Sequence, residues 1–137
     1  MANKLQVDIV TPGSTILSDQ YNMVVMRSPE GELGILADHM PLITALAEWP
    51  VKLKKDDGTV FYVNVSGGFM EVRDNKISIL ATAAEMSGNI DVKRATAAKE
   101  RATKRLEQKG EFDEGRAQIA LKRALGRMKT IELSGRK

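Results

Sequence analysis

The chain has no cysteine and only one histidine, His39. Without cysteine there is no disulfide, no thiolate nucleophile and no sulfur-ligated metal, a composition that suits a reducing compartment. Any imidazole metal site or Ser/His/acid triad would have to use His39, which reads as a turn histidine in Asp38-His39-Met40-Pro41. No serine stands in a G-x-S-x-G elbow, and neither phosphate-loop glycine pattern occurs. These absences predict a non-catalytic chain with no catalytic residue and no metal. Aromatic residues make up 4%, so the core should be aliphatic. No apolar run approaches the ~18 residues that span a bilayer, and MANKLQVDIV has no apolar signal region. The expectation is a soluble protein, peripheral to a membrane at most through a partner.

What is present changes character at Ile90-Asp91-Val92-Lys93-Arg94-Ala95. Residues 1–89 carry 7 Lys and Arg against 11 Asp and Glu, while residues 90–137 carry 14 against 7. An acidic half therefore precedes a basic one. The period of the apolar residues changes at the same joint.

Before the joint the signals are strands and turns. Val7 and Ile9 alternate with Asp8 from Gln6 to Val10, a half-buried strand. Thr11-Pro12-Gly13-Ser14 and Pro29-Glu30-Gly31-Glu32 are turns. Thr15–Leu17, Tyr21–Arg27, Leu33–Ala37 and Leu42–Leu46 read as strands, with Trp49-Pro50 breaking the last run. Val51–Lys55 alternates, Asp56-Asp57-Gly58 signals a hairpin, and Thr59–Val65 is dense in β-branched and aromatic residues. Ser66-Gly67-Gly68 loosens the backbone before Phe69–Arg73, and Lys76–Thr82 is the last strand. Short strands at this spacing predict a sandwich or flattened barrel.

After the joint the signals are helical. Asp91 is a candidate N-cap. Ala95, Ala98, Ala102 and Leu106 form one stripe, and Gly110 ends that helix. Asp113 should cap a second helix, whose stripe is Ala117, Leu121, Ala124, Met128 and Ile131. The two form an antiparallel hairpin with a mostly alanine seam. Alanine offers little beyond its methyl, and a buried CH₂ contributes only about 0.8 kcal/mol. Gly115 and Gly126 each cost the second helix about 1 kcal/mol relative to alanine. Two readings follow: a hairpin that opens at modest cost, or one held shut by packing on the strands.

The basic side chains of the hairpin are either a solvated face or a polyanion site. Arg94, Arg101 and Arg105 fall roughly on one side of the first helix, and Arg123 and Arg127 are four apart on the second. Several arginines on facing helices can converge on phosphate. The polyanion could be a nucleotide, an acidic protein surface or a nucleic acid. Nucleic acid is the weakest choice, because the tail has one aromatic, Phe112, for stacking and the strand half is acidic.

Taken in order, Glu30-Gly31-Glu32-Leu33-Gly34-Ile35, His39-Met40-Pro41-Leu42, Val65-Ser66-Gly67-Gly68-Phe69-Met70-Glu71-Val72 and the helical tail resemble the epsilon subunit family of the bacterial F-type ATP synthase. The resemblance covers essentially the whole chain. It implies an α+β protein: an N-terminal antiparallel β-sandwich of about ten strands (residues 1–84), a linker (85–89) and a C-terminal antiparallel two-helix hairpin (90–137).

The resemblance also implies a role. The family sits in the central stalk of a proton- or sodium-translocating ATP synthase, at the cytoplasmic face of the bacterial cell membrane. It is a non-catalytic subunit that couples gamma to the c ring and needs no cofactor. By motif match, Glu32 and His39 belong to the c-ring contact. The hairpin can extend along gamma to the catalytic beta and alpha subunits and block ATP hydrolysis. In some members ATP is a regulatory ligand of the folded hairpin, held through a motif that stands here as Ile90-Asp91-x-x-Arg94-Ala95. Asp91 would accept from the adenine amino group or cap the helix, and Arg94 would meet phosphate. Glu85, Arg101, Arg123 and Arg127 match further binding positions. No nucleic acid and no direct membrane insertion are implied. A different class of function, a stand-alone nucleotide-sensing module, uses the same residues.

Overall fold

The computed structural model describes residues 4–108 and 114–135. Its strands are β1 Leu5–Thr11, β2 Ser14–Tyr21, β3 Met23–Ser28, β4 Gly31–Leu36, β5 Leu42–Ala45, β6 Trp49–Lys54, β7 Val60–Arg73 and β8 Lys76–Met86. One 3₁₀ turn, Ser87–Asn89, leads to α1 Val92–Glu107 and α2 Glu114–Leu133.

β7 and β8 organise the strand half. The order is β2-β1-β8-β7-β6-β3-β4, with β5 also on β7. The first part of β7, Val60–Val65, pairs with β6, and Phe69–Val72 pairs with β5. β8 follows β7 along its length and takes β1 in parallel at Lys76–Leu80. Counting β7 and β8 once in each layer gives two five-stranded layers, which accords with the expected sandwich of about ten strands.

The turn from one layer to the other falls at Gly67 and Gly68, with φ of 65° and 141°. A Cβ on Gly68 would lie 2.2 Å from the Leu80 carbonyl oxygen, so only glycine lets the two backbones pass this closely. The sequence reading divides this strand at Ser66-Gly67-Gly68. That is corrected: the glycines bend a continuous strand instead of interrupting it. Trp49-Pro50 is a second correction, since both residues lie inside β6. β3 pairs with β6 only at Lys52–Lys54, so Pro50 lies beyond the last rung on that side, where a missing N–H is tolerated.

The alternation reads out as expected. Val7, Ile9, Val24, Met26, Val63, Val65, Met70, Val72, Ile77 and Ile79 are buried in one aliphatic core, with Tyr21 its aromatic member. Burying such side chains from alternating positions on both layers drives the closure of the sandwich.

The hairpin adds a separate, small cluster of Ile90, Ala95 and Ile131, with Val92 and Met128 packed against it. Asp91 caps α1: its Oδ1 accepts from the Arg94 N–H at 3.0 Å. Ala95 and Ala102 of α1 and Ala117 and Ala124 of α2 are all buried, so the seam is rich in alanine on both sides. Gly110 and Asp113, expected to end one helix and cap the next, lie outside the described residues. β8 continues through Glu85 and Met86, two residues into the stretch expected as linker.

α2 carries the contact with the sandwich, on β6 and β7. Gly126 sits at that contact. A Cβ there would stand 3.0 Å from Asn64 Oδ1 and 3.4 Å from the Glu48 carbonyl oxygen. The sequence reading treats Gly126 only as a weakness of the helix; its absent side chain is what lets α2 approach the sheet.

Candidate functional site

The joint between the two halves forms a cleft of about 310 Å³. Glu85 of β8, Asn89 of the 3₁₀ turn and the cap residue Asp91 form one side. Arg94, Ala95, Ala98 and Arg101 come from α1, at spacings that put them on one helical face, and Arg127 reaches in from α2. Six of the expected nucleotide-site residues therefore meet: Glu85, Asp91, Arg94, Ala95, Arg101 and Arg127.

Two expected residues do not line the cleft. Ile90 is buried in the small hairpin cluster, where it anchors the joint from beneath. Arg123 points to another carboxylate, with its Nε 3.8 Å from Glu48 Oε1. Asn89 and Ala98 were not singled out for the site. Ala98 had a legible signal, since it lies four after Arg94 and three before Arg101. Asn89 had only its nearness to the cap.

The cleft is cationic on balance. Its three guanidinium groups face two carboxylates, and each carboxylate is already engaged. Arg127 Nε–H donates to Glu85 Oε1 at 2.6 Å, and Asp91 accepts from the first turn of α1. Asp91, the cap of α1, lines the cleft, so the positive dipole end of that helix borders it. An oxyanion would meet arginines from two helices and a helix N-terminus together.

The rest of the surface holds further features. Glu32 is exposed near the start of β4, opposite Arg27 of β3. His39 lies past the other end of β4, and its Nδ1 is 2.6 Å from the Met40 carbonyl oxygen, which accepts the proton on that nitrogen. Asn75, in the turn between β7 and β8, ties down this loop. Its Oδ1 accepts from the Asp38 N–H at 2.6 Å, and its Nδ2 donates to Asp38 Oδ1 at 3.1 Å. On the outer face of β5, β7 and β8, Ile43, Phe69 and Leu80 are 70%, 61% and 61% exposed. Phe69 is paired directly across from Leu80, so this is a contiguous apolar patch of the kind that marks a partner surface. Among the described residues, no group of three or more His, Cys, Asp or Glu is placed to hold a metal, and no helix is long and apolar enough to cross a membrane.

The sequence matches two domain families that meet at the joint. Residues 4–87 match the β-sandwich domain of the ATP synthase delta/epsilon chain, and residues 89–132 match its long α-helix domain. The chain belongs to the ATP synthase delta/epsilon family. The ATP synthase epsilon chain of Desulforamulus reducens is 47% identical over 133 residues, covering 96% of this chain and 100% of the relative. That of Brevibacillus brevis is 50% identical over 107 residues, covering 78% and 81%. The fold is also that of a chain in the mitochondrial ATP synthase of Euglena gracilis, solved with OSCP, F1 and the c ring. The TM-score is 0.81 at 23% identity, covering 96% of this chain and 81% of that one. For a delta/epsilon member, the boundary between the two matched domains is the 3₁₀ turn that forms one wall of the cleft.

Proposed function

We propose that the chain is a non-catalytic rotor subunit of an ion-translocating ATP synthase, and that its docked hairpin holds ATP in the cleft at the joint. The single observation that carries the nucleotide reading is the convergence of Arg94, Arg101 and Arg127 beside the N-terminus of α1. Phosphate oxygens would accept from these guanidinium groups. The adenine amino group would donate to Asp91, whose Oδ1 already accepts from Arg94 N–H. Ile90 and Ala95 would support the site from the hairpin core.

The stalk role is supported by the epsilon-chain relatives and by fold neighbours from central-stalk and c-ring assemblies. In this reading the patch of Ile43, Phe69 and Leu80 is offered to the gamma subunit. Glu32 and His39, the latter on its fastened loop, are offered to the c ring. The subunit is peripheral, at the cytoplasmic face of the bacterial cell membrane.

When nucleotide leaves, the hairpin opens, extends along gamma toward the beta and alpha subunits and blocks ATP hydrolysis. The weak seam of alanines favours this. So does the polar character of α2's docking surface, where Gly126 approaches Asn64 and Glu48, Arg123 faces Glu48 and Arg127 bonds Glu85.

Calorimetric titration of the isolated chain with ATP tests the site. Saturable binding that Arg94→Ala or Arg101→Ala weakens at least about tenfold is expected. Absence of saturation at millimolar ATP would remove the nucleotide role. Deleting residues 90–137 in the assembled enzyme should raise ATP hydrolysis, and unchanged hydrolysis would remove the inhibitory role.

A further inference from the structure

The hairpin has a second concavity, larger than the nucleotide cleft and different in chemistry. It is a groove of about 720 Å³, within the usual range for small-ligand sites. Three elements build it. Trp49 comes from β6, Val92 and Lys99 from α1, and Leu125, Met128 and Lys129 from α2. Val92 and Met128 are the residues that pack against the small core of Ile90, Ala95 and Ile131, so the groove opens directly onto that core. Leu125 is left 41% exposed. Trp49 has the Arg27 guanidinium 4.0 Å from its ring centroid, which covers part of the indole and fixes it as one wall.

The polar groups of the groove are few and unbalanced. Glu132 also lines the groove, and its carboxylate stands 3.5 Å from Lys129 one helical turn away, so these two charges offset each other. Lys99 has no acidic partner among the described residues, so its ammonium is the uncompensated charge at the groove. An apolar trough with one free cation calls for a ligand of matching halves: a hydrocarbon or aromatic body and a single anionic head.

We propose that this groove binds an amphipathic anion, a medium- or long-chain carboxylate in the simplest case, with its tail on Trp49, Leu125 and Met128 and its head at Lys99. The ligand then does what the alanine seam does poorly. It extends the hairpin's core and joins it to the sandwich through Trp49. Because β6, α1 and α2 all contribute walls, the site exists only while the hairpin is docked, and the ligand stabilises that state by mass action. This last consequence rests on the reading of the hairpin as a mobile arm; the binding site itself does not.

The chain's only tryptophan lies in the groove, which gives a direct readout. Decanoate, below its micellar concentration, is titrated into the full chain while Trp49 fluorescence is followed. A saturable change with one site per chain is expected. Decan-1-ol, which lacks the anionic head, should bind about tenfold more weakly. Leu125→Glu, a change at an already exposed position, should weaken decanoate about tenfold through lost apolar contact and repulsion. Lys99→Glu should act in the same direction. Saturating ATP should not displace decanoate, since the two sites share no lining residue, and should tighten it to the extent that ATP holds the hairpin docked. An unsaturable signal, equal affinity for decan-1-ol, or full binding by Leu125→Glu would each overturn the site. If binding holds but amide exchange in α2 is not slowed by decanoate, the site stands and its coupling to hairpin docking falls.

Discussion

Arg127 Nε lies 2.6 Å from Glu85 Oε1, a bond between the last helix and the last strand that joins residues 42 positions apart. It is the shortest side-chain link between hairpin and sandwich among those described, and it forms one edge of the cleft at the joint. Both side chains remain about a third exposed, at 31% and 30%, so solvent screening reduces its strength.

Glu85→Gln should therefore weaken hairpin docking by about 1 kcal/mol, the scale of a screened charge-assisted bond. Hydrogen exchange along α2 would quicken roughly fivefold, while the exchange of β1, β7 and β8 stays unchanged. Arg127→Gln should do the same, and the double variant should add little to either single one. Full additivity of the two would show that the pair is not the tie.

Gly126→Ala sets two effects against each other. Alanine favours the helix by about 1 kcal/mol, but that gain applies to docked and undocked α2 alike. The new Cβ at 3.0 Å from Asn64 Oδ1 acts only in the docked state. Forced contacts of this kind cost about 1–3 kcal/mol. Docking should weaken while helicity by circular dichroism holds or rises. Slower exchange in α2 of Gly126→Ala would contradict the close-approach role.

Asn75→Gly separates backbone from side chain. Asn75 has φ of 60°, which glycine accepts, so the turn is retained while both bonds to Asp38 are lost. The loop of residues 37–41 should then show broadened or shifted amide resonances, with global stability lowered by no more than about 1–2 kcal/mol. An unchanged His39 resonance would show that Asn75 does not hold that loop.

Asp8 links stability to pH. Ser18 Oγ–H donates to its Oδ1 at 2.6 Å, Gln6 Nε2–H donates at 3.1 Å, and the Lys76 ammonium stands 3.4 Å from Oδ2. The Ser18 and Gln6 bonds, then Lys76, hold the carboxyl below its ordinary 3.8. A depressed folded value stabilises the protein above 3.8 and loses that contribution as pH falls through the folded value. Asp8→Asn should lower the melting temperature at pH 7 and match the parent in strong acid. A gap that widened on acidification would reverse the assignment.

Much of the fold was legible because alternation and capping are local. Val7 and Ile9 flank Asp8 as a half-buried strand requires, and Asp91 caps α1 as its position before a helix-forming run implies. Pro50 and Gly67-Gly68 misled because their tolerance depends on neighbours far along the chain: the extent of β3 for Pro50, and the nearness of Leu80 for Gly68. Gly126 misled for the same reason, since its partner Asn64 belongs to another element. At the cleft, helical spacing grouped Arg94 and Arg101 with Arg105, of which Arg94 and Arg101 line it and Arg105 does not. That Arg127 would join them while Arg123 turned to Glu48 required the docked position of α2.

The parallel pairing of β1 with β8 has a temporal side. Gln6 meets Lys76, 70 positions later, and this rung is the first of five that seal one layer. Contacts so distant in sequence form slowly, because a long loop must close before they contribute. On the ribosome, β1 waits beside β2 until more than half of the polypeptide has been made. The basic tail is translated last, onto an acidic platform whose strands are all available to receive it. Synthesis order thus presents the hairpin with a finished sheet to pack on.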